Sequence, residues 1–222
     1  MALQPALCPL CDEKRDYVSA TSSVSASTAE KVPFGRFCLA YRQAMSVKIE
    51  PFTVSIADDK LRELKEQLKA GKMASPTFES TTTKRNFGVT SDWMKEMKEY
   101  WQSSFDWRAQ ERRLNEVSHF IAHLPQSNGS TFKMHFIHEK AAAGRQTIPL
   151  LLLHGWPGSF VEFIGLVKAM RGDRYSLVVP SLPGYGFSDP PYKDRPMTLQ
   201  ETARLCDQLM QTLGYTSYVT QG

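Results

Sequence analysis

The sequence predicts an α/β fold with a mixed, mostly parallel sheet, preceded by a helical segment. Three observations carry this. Leu150–Leu153 is a run of leucines closed by His154-Gly155-Trp156-Pro157-Gly158-Ser159, and a short apolar run stopped by turn residues reads as a buried strand. Phe160, Phe163, Ile164 and Val167 then recur at helical spacing. The alternation repeats downstream: a Leu-Val-Val strand at 177–179, a helix opened by Thr198, and a further strand at Tyr218–Thr220. Strand, helix, strand, helix, strand is the order of parallel βαβ units.

Composition bounds the function classes. The chain has 222 residues, 41% apolar and 23% charged, ordinary values for a globular protein. Its 27 basic and 23 acidic residues leave a net charge of +4 and are scattered, so no nucleic-acid or membrane footprint is read from them. No apolar run approaches the roughly 18 residues needed to cross a bilayer. Cys8-Pro-Leu-Cys11 lacks a second ligand pair nearby, so no metal site is assigned to it. Four scattered cysteines fit a reducing, cytoplasmic setting.

Taken in order, residues 1–46 are expected to form a disordered extension, because Tyr17–Lys31 is rich in Ser, Thr and Ala without periodicity. Residues 47–116 read as a helical segment. Ser55-Ile-Ala-Asp58 resembles a capping box, Leu61, Leu64 and Leu68 form a stripe, and Gly71 is the natural stop. Ser91 is placed to cap a second helix with the stripe Met94, Met97, Trp101 and Phe105. Asp106 is placed to cap a third, through Leu114. These stripes are expected to be core faces.

Residues 117–222 read as the sheet domain. Val117–Leu124 and Phe132–His138 are strand-like, and Asn128-Gly129 between them favours a hairpin turn. His119, His123, His135 and His138 could meet across that hairpin, but without Cys, Asp or Glu partners they read as plain strand surface rather than a metal site. Thr198 caps a helix whose expected buried stripe is Leu199, Ala203, Leu205 or Cys206, Leu209 and Leu213.

The loop after the leucine run presents backbone N–H groups at a helix start, at the carboxyl end of a strand, which suits an oxyanion. His154-Gly155-Trp156-Pro157-Gly158-Ser159 resembles the oxyanion-hole loop of epoxide hydrolases, in the branch related to the microsomal enzyme. The resemblance extends to Ile49-Glu-Pro-Phe52, to Phe105-Asp-Trp-Arg108 with Leu114-Asn115, to Met134-His-Phe-Ile-His138 and to Pro180–Ser188. It covers about Ile49 to Gly222.

The resemblance implies the first half of an α/β-hydrolase fold and the hydration of small hydrophobic epoxides to diols, without cofactor or metal. It implies Trp156 as an oxyanion-hole residue through its backbone N–H, with His154, Gly155, Pro157 and Gly158 shaping the loop and Trp156-Pro157 cis. The microsomal relatives carry a membrane anchor, which nothing here resembles. The nucleophilic Asp of that family sits on a small-x-nucleophile-x-small turn. Thr220-Gln221-Gly222 reaches the first small residue of such a turn, so the nucleophile, its His base and the lid tyrosines are expected beyond Gly222. No catalytic residue is therefore assigned within the chain. Two other readings stand beside this one: an inactive truncated product or binding module, and another α/β-hydrolase such as a dehalogenase or esterase.

Overall fold

The computed structural model describes residues 47–82, 87–142 and 147–222. The expected extension over 1–46 and the Cys8–Cys11 pair lie outside the described residues. The chain enters on β1 (Ile49–Phe52), followed by α1 (Asp58–Ala70), the single turn α2 (Phe78–Thr81), α3 (Ser91–Ser103) and α4 (Trp107–Leu114). Then come β2 (His119–Pro125), β3 (Thr131–Glu139), β4 (Ile148–Leu152), a 3-10 turn (Phe160–Phe163) running into α5 (Ile164–Met170), β5 (Tyr175–Pro180), α6 (Leu199–Thr212) and β6 (Val219–Gln221).

The six strands form one sheet in the order β1-β2-β3-β5-β4-β6. β1, β2, β3 and β5 pair antiparallel in turn, while β4 runs parallel to both β5 and β6. The β2–β3 hairpin closes at Asn128-Gly129 as expected, with Gly129 at φ +81° where a side chain is disfavoured. β4 supplies the pattern of a doubly covered strand. Leu151 packs with Val178 against Leu205, Cys206, Leu209 and Met210 of α6. Leu152 packs with Leu177 and Val179 against Phe160 and Val167 on the other face. Connections from the adjacent ends of β4 and β5 thus leave toward opposite faces. In open α/β sheets that divergence opens the ligand crevice.

The helical segment departs from expectation in three places. α1 starts at Asp58, with Ala57 at its N-cap and no side-chain cap, so Ser55 is not the capping residue. The reason is tertiary: the Val54 and Ile56 N–H groups donate to Asn115 Oδ1 (2.8 Å) and Glu111 Oε1 (2.6 Å), which holds this stretch extended. α3 is capped by Thr90, whose hydroxyl accepts the Trp93 N–H at 3.2 Å, and Ser91 is its first residue. The stripes of α1 and α3 are not core faces. Neither helix has a buried residue, and Leu64, Leu68, Met73, Trp93, Met97 and Trp101 line an open groove of about 500 Å³. The two helices meet each other there, but no described element covers them.

Asp106 caps α4 as expected, accepting the Ala109 N–H at 3.0 Å. On α6, Thr198 is the N-cap, accepting from Glu201 N–H at 3.1 Å. The buried face of α6 is Leu205, Cys206, Leu209 and Met210, whereas Leu199 is 86% exposed and Ala203 is exposed as well. Leu199 stands two turns ahead of Cys206 and shares its phase on the helix, but not its cover.

Candidate active site

The loop from His154 to Ser159 leaves the carboxyl end of β4 beside the end of β6. The Leu153 N–H donates to the Gln221 carbonyl at 2.9 Å, continuing the parallel register Leu150–Val219, Leu151–Thr220, Leu152–Gln221. Gly222 lies so close to β4 that a Cβ there would meet the Leu153 carbonyl oxygen at 3.2 Å. A small residue is what this approach tolerates.

Within the loop each side chain has a local task. His154 is buried. Its Nε2 accepts the Leu182 N–H at 3.1 Å, so in the neutral ring the proton sits on Nδ1, 3.2 Å from the Gly155 carbonyl oxygen. Both ring nitrogens therefore have hydrogen-bond partners, Nδ1 within this loop and Nε2 on the segment that follows β5. Tyr185 packs its ring edge on His154 at 4.9 Å. Trp156-Pro157 is a cis peptide. The Gly158 N–H donates to the Gly155 carbonyl at 2.9 Å, closing the turn. Ser159 and Glu162 form a reciprocal capping box, in which the Ser159 N–H donates to Glu162 Oε1 at 2.9 Å. The Glu162 carboxylate folds across Gly158, where a Cβ would stand 1.5 Å from Oε1. Trp156 is left 84% exposed, and among the described residues its N–H has no acceptor.

The exit loop of β5 lies against this loop through Leu182 and Tyr185. Gly184 and Gly186 take φ of +83° and +52°, and a Cβ on Gly186 would stand 2.6 Å from Ser181 Oγ. Ser188 is not an available nucleophile, because its hydroxyl donates to the Ser181 carbonyl at 2.7 Å and accepts the His135 N–H at 3.0 Å. Asp189 and Asp194 form no acid pair: Asp189 Oδ2 accepts the Lys133 N–H at 2.8 Å, and Asp194 lies 3.9 Å from Arg195.

Three of the four hairpin histidines overturn the surface reading. His119, His135 and His138 are buried, and only His123 is partly open, hydrogen-bonded to Glu50 at 2.8 Å. They do not form a metal site: among the described residues no group of three or more His, Cys, Asp or Glu could hold an ion. Burial pushes His135 down to about 3 and His138 to about 4, and also lowers His119. The period-two pattern put His119 and His123 on one face, but it could not show that the Phe52, Phe160 and Phe187 rings enclose His135.

Sequence reasoning also missed Glu111. Its carboxylate is buried and accepts from Ile56 N–H (2.6 Å), Trp107 Nε1–H (2.7 Å) and Arg108 Nη1 (2.5 Å). Burial opposes its ionisation, yet these donors outweigh burial and hold it below the usual carboxylate range. Asn115 closes the clamp by giving and accepting one bond each with Val54. The Phe105-Asp-Trp-Arg108 motif and Asn115 thus fasten the segment between β1 and α1.

A mixed sheet with helices on both faces, and a glycine-proline loop at the carboxyl end of the strand that runs parallel to both its neighbours, define an α/β-hydrolase framework. The chain belongs to the epoxide hydrolase family: its residues 49–163, just over half of it, match the family model "Epoxide hydrolase N terminus", and residues 148–222 match "alpha/beta hydrolase fold". It is similar to epoxide hydrolase 1 of Sus scrofa, 31% identical over 186 residues, covering 78% of this chain and 39% of that protein. Juvenile hormone epoxide hydrolase of Bombyx mori is 33% identical over 189 residues, covering 82% and 39%. Among solved structures, the epoxide hydrolase of Aspergillus niger superposes with a TM-score of 0.71 at 41% identity, covering 80% of this chain and 46% of that one. The chain therefore spans less than half the length of each of these relatives. No helix among the described residues is long and apolar enough to cross a membrane.

Proposed function

We propose that this chain supplies the oxyanion side of an epoxide hydrolase acting on small hydrophobic epoxides without cofactor or metal. The observation that carries the reading is that, among the described residues, the Trp156 N–H has no acceptor, on a loop tied to the end of β6 through the Leu153–Gln221 hydrogen bond. In this mechanism an Asp carboxylate on the turn after β6 attacks an epoxide carbon. The C–O bond breaks, and the departing oxygen takes a proton from a lid tyrosine. Water, deprotonated by a His, then adds to the ester carbonyl. The tetrahedral oxyanion accepts the Trp156 N–H; on collapse the leaving alkoxide takes the proton held by the His, which completes the diol, and the Asp carboxyl returns a proton to the tyrosinate, which restores both. In this reading, as the family resemblance implies, the Asp, His and tyrosines fall at positions past Gly222. With none of these groups assigned within its 222 residues, the chain by itself is expected to turn nothing over.

The test fuses the chain at Gly222 to the remainder of the Aspergillus niger enzyme and assays an aromatic epoxide, an aryl ester and a haloalkane. Diol is expected from the fusion and not from the chain alone. Replacing Trp156 by Pro removes its N–H and is expected to lower kcat by about 10²–10³-fold. Diol from the 222-residue chain, or a folded fusion that hydrolyses only the ester or the haloalkane, overturns the reading.

A further inference from the structure

A file of hydrogen bonds crosses the core directly beneath the candidate site. His119 Nε2 lies 2.8 Å from the Leu114 carbonyl oxygen, His119 Nδ1 lies 3.0 Å from His135 Nε2, and His135 Nδ1 lies 2.8 Å from Ser181 Oγ. Its direction follows from its first member. A carbonyl only accepts, so His119 carries its proton on Nε2 and, when neutral, accepts at Nδ1. His135 must then donate from Nε2 and accept the Ser181 hydroxyl at Nδ1. Both rings are buried among aromatic side chains, with Phe160 edge-on to His119 at 5.7 Å and to His135 at 4.9 Å.

The file ends where the candidate site begins. Ser181 is fully buried, and its neighbour Leu182 gives the N–H that His154 accepts. His135 grips this loop with its backbone as well. Its carbonyl accepts the Ser181 N–H at 2.8 Å, and its own N–H donates to Ser188 Oγ at 3.0 Å. Phe160, which packs on both rings, follows Ser159 at the other end of the loop that carries Trp156.

We infer that His135 and Ser181 are positioning residues: through the directed file from Leu114 they fix the Leu182 N–H, thereby the tautomer of His154, and thereby the loop that presents the Trp156 N–H. The catalytic consequence rests on the oxyanion reading above, but the geometry does not, and the test reads the geometry alone.

The experiment is histidine 15N spectroscopy with amide exchange on the 222-residue chain. In the unaltered chain His119 and His135 are expected as Nε2–H tautomers and His154 as Nδ1–H. A His135 proton on Nδ1 would reverse the file and overturn the proposal. Ser181→Ala deletes one oxygen and is expected to speed Leu182 amide exchange by about tenfold, the weight of one hydrogen bond, and to mix the His154 tautomers. His135→Phe keeps a ring in the aromatic sheath and is expected to act in the same way. A merely structural role would lower the melting temperature while leaving the His154 signals and Leu182 exchange as they were, and that result sinks the inference. If both variants unfold, the tautomers of the unaltered chain decide.

Discussion

A Cβ on Gly158 would stand 1.5 Å from Glu162 Oε1, so Gly158→Ala cannot be accommodated without expelling the carboxylate from its cap on the Ser159 N–H. Loss of that cap is worth about 1 kcal/mol. The substitution is therefore expected to destabilise the chain by about that much or more, and to become nearly silent in a Glu162→Ala background. Urea unfolding of the two singles and the double reads this non-additivity directly. Fully additive effects would mean that Glu162 does not hold Gly158 to glycine. His154→Ala belongs to the same scale. It leaves the partly buried Leu182 N–H without its acceptor, at a cost of about 1–2 kcal/mol. For a unit of this size that is roughly 2–8 °C of melting temperature.

α4 is an eight-residue helix with one buried residue, Glu111, and that residue is a carboxylate. Its value lies in what it receives from elsewhere: Ile56 N–H, Trp107 Nε1–H and the Arg108 guanidinium. Glu111→Ala is expected to cost about 2 kcal/mol, since two partly buried donors and a cation lose one shared acceptor. Glu111→Gln keeps an acceptor and should cost less. Equal losses for the two, by thermal melting, would refute the clamp. The same scale shows what was legible in the sequence. The strands, the hairpin turn and the Asp106 and Thr198 caps could be read, because each depends on neighbours in the chain. The start of α1 could not, because Glu111 and Asn115 decide it from more than 50 residues away. The α3 stripe had the right spacing, but spacing shows which residues share a face and not whether anything lies against it.

Across the whole unit, buried neutral histidines make the protein sensitive to acid. His135 and His138 are held at about 3 and about 4 by burial, against about 6.5 for an unfolded histidine. Below pH 6.5 the unfolded chain takes up protons that the folded chain refuses, so stability falls as pH drops from about 6.5 toward 3. Glu201, held at about 2 chiefly by Arg204, works in the same direction over its own lower window. Urea unfolding at pH 7 and at pH 4.5 should differ by several kcal/mol. A flat profile would mean that the rings admit protons in the folded state. The candidate site itself was only half legible. The loop from His154 to Gly158 could be placed at the end of its strand from the turn residues. The His119–His135–Ser181 file could not, since it joins a hairpin to a loop some 46 residues further on, through rings that the sequence pattern left facing water. Trp156, last, is a built-in optical probe. An indole open to water emits at long wavelength and is freely quenched by acrylamide. With Trp93, Trp101 and Trp107 replaced by Phe, its emission should shift to the blue and resist the quencher as soon as any chain or small molecule settles on the carboxyl end of the sheet.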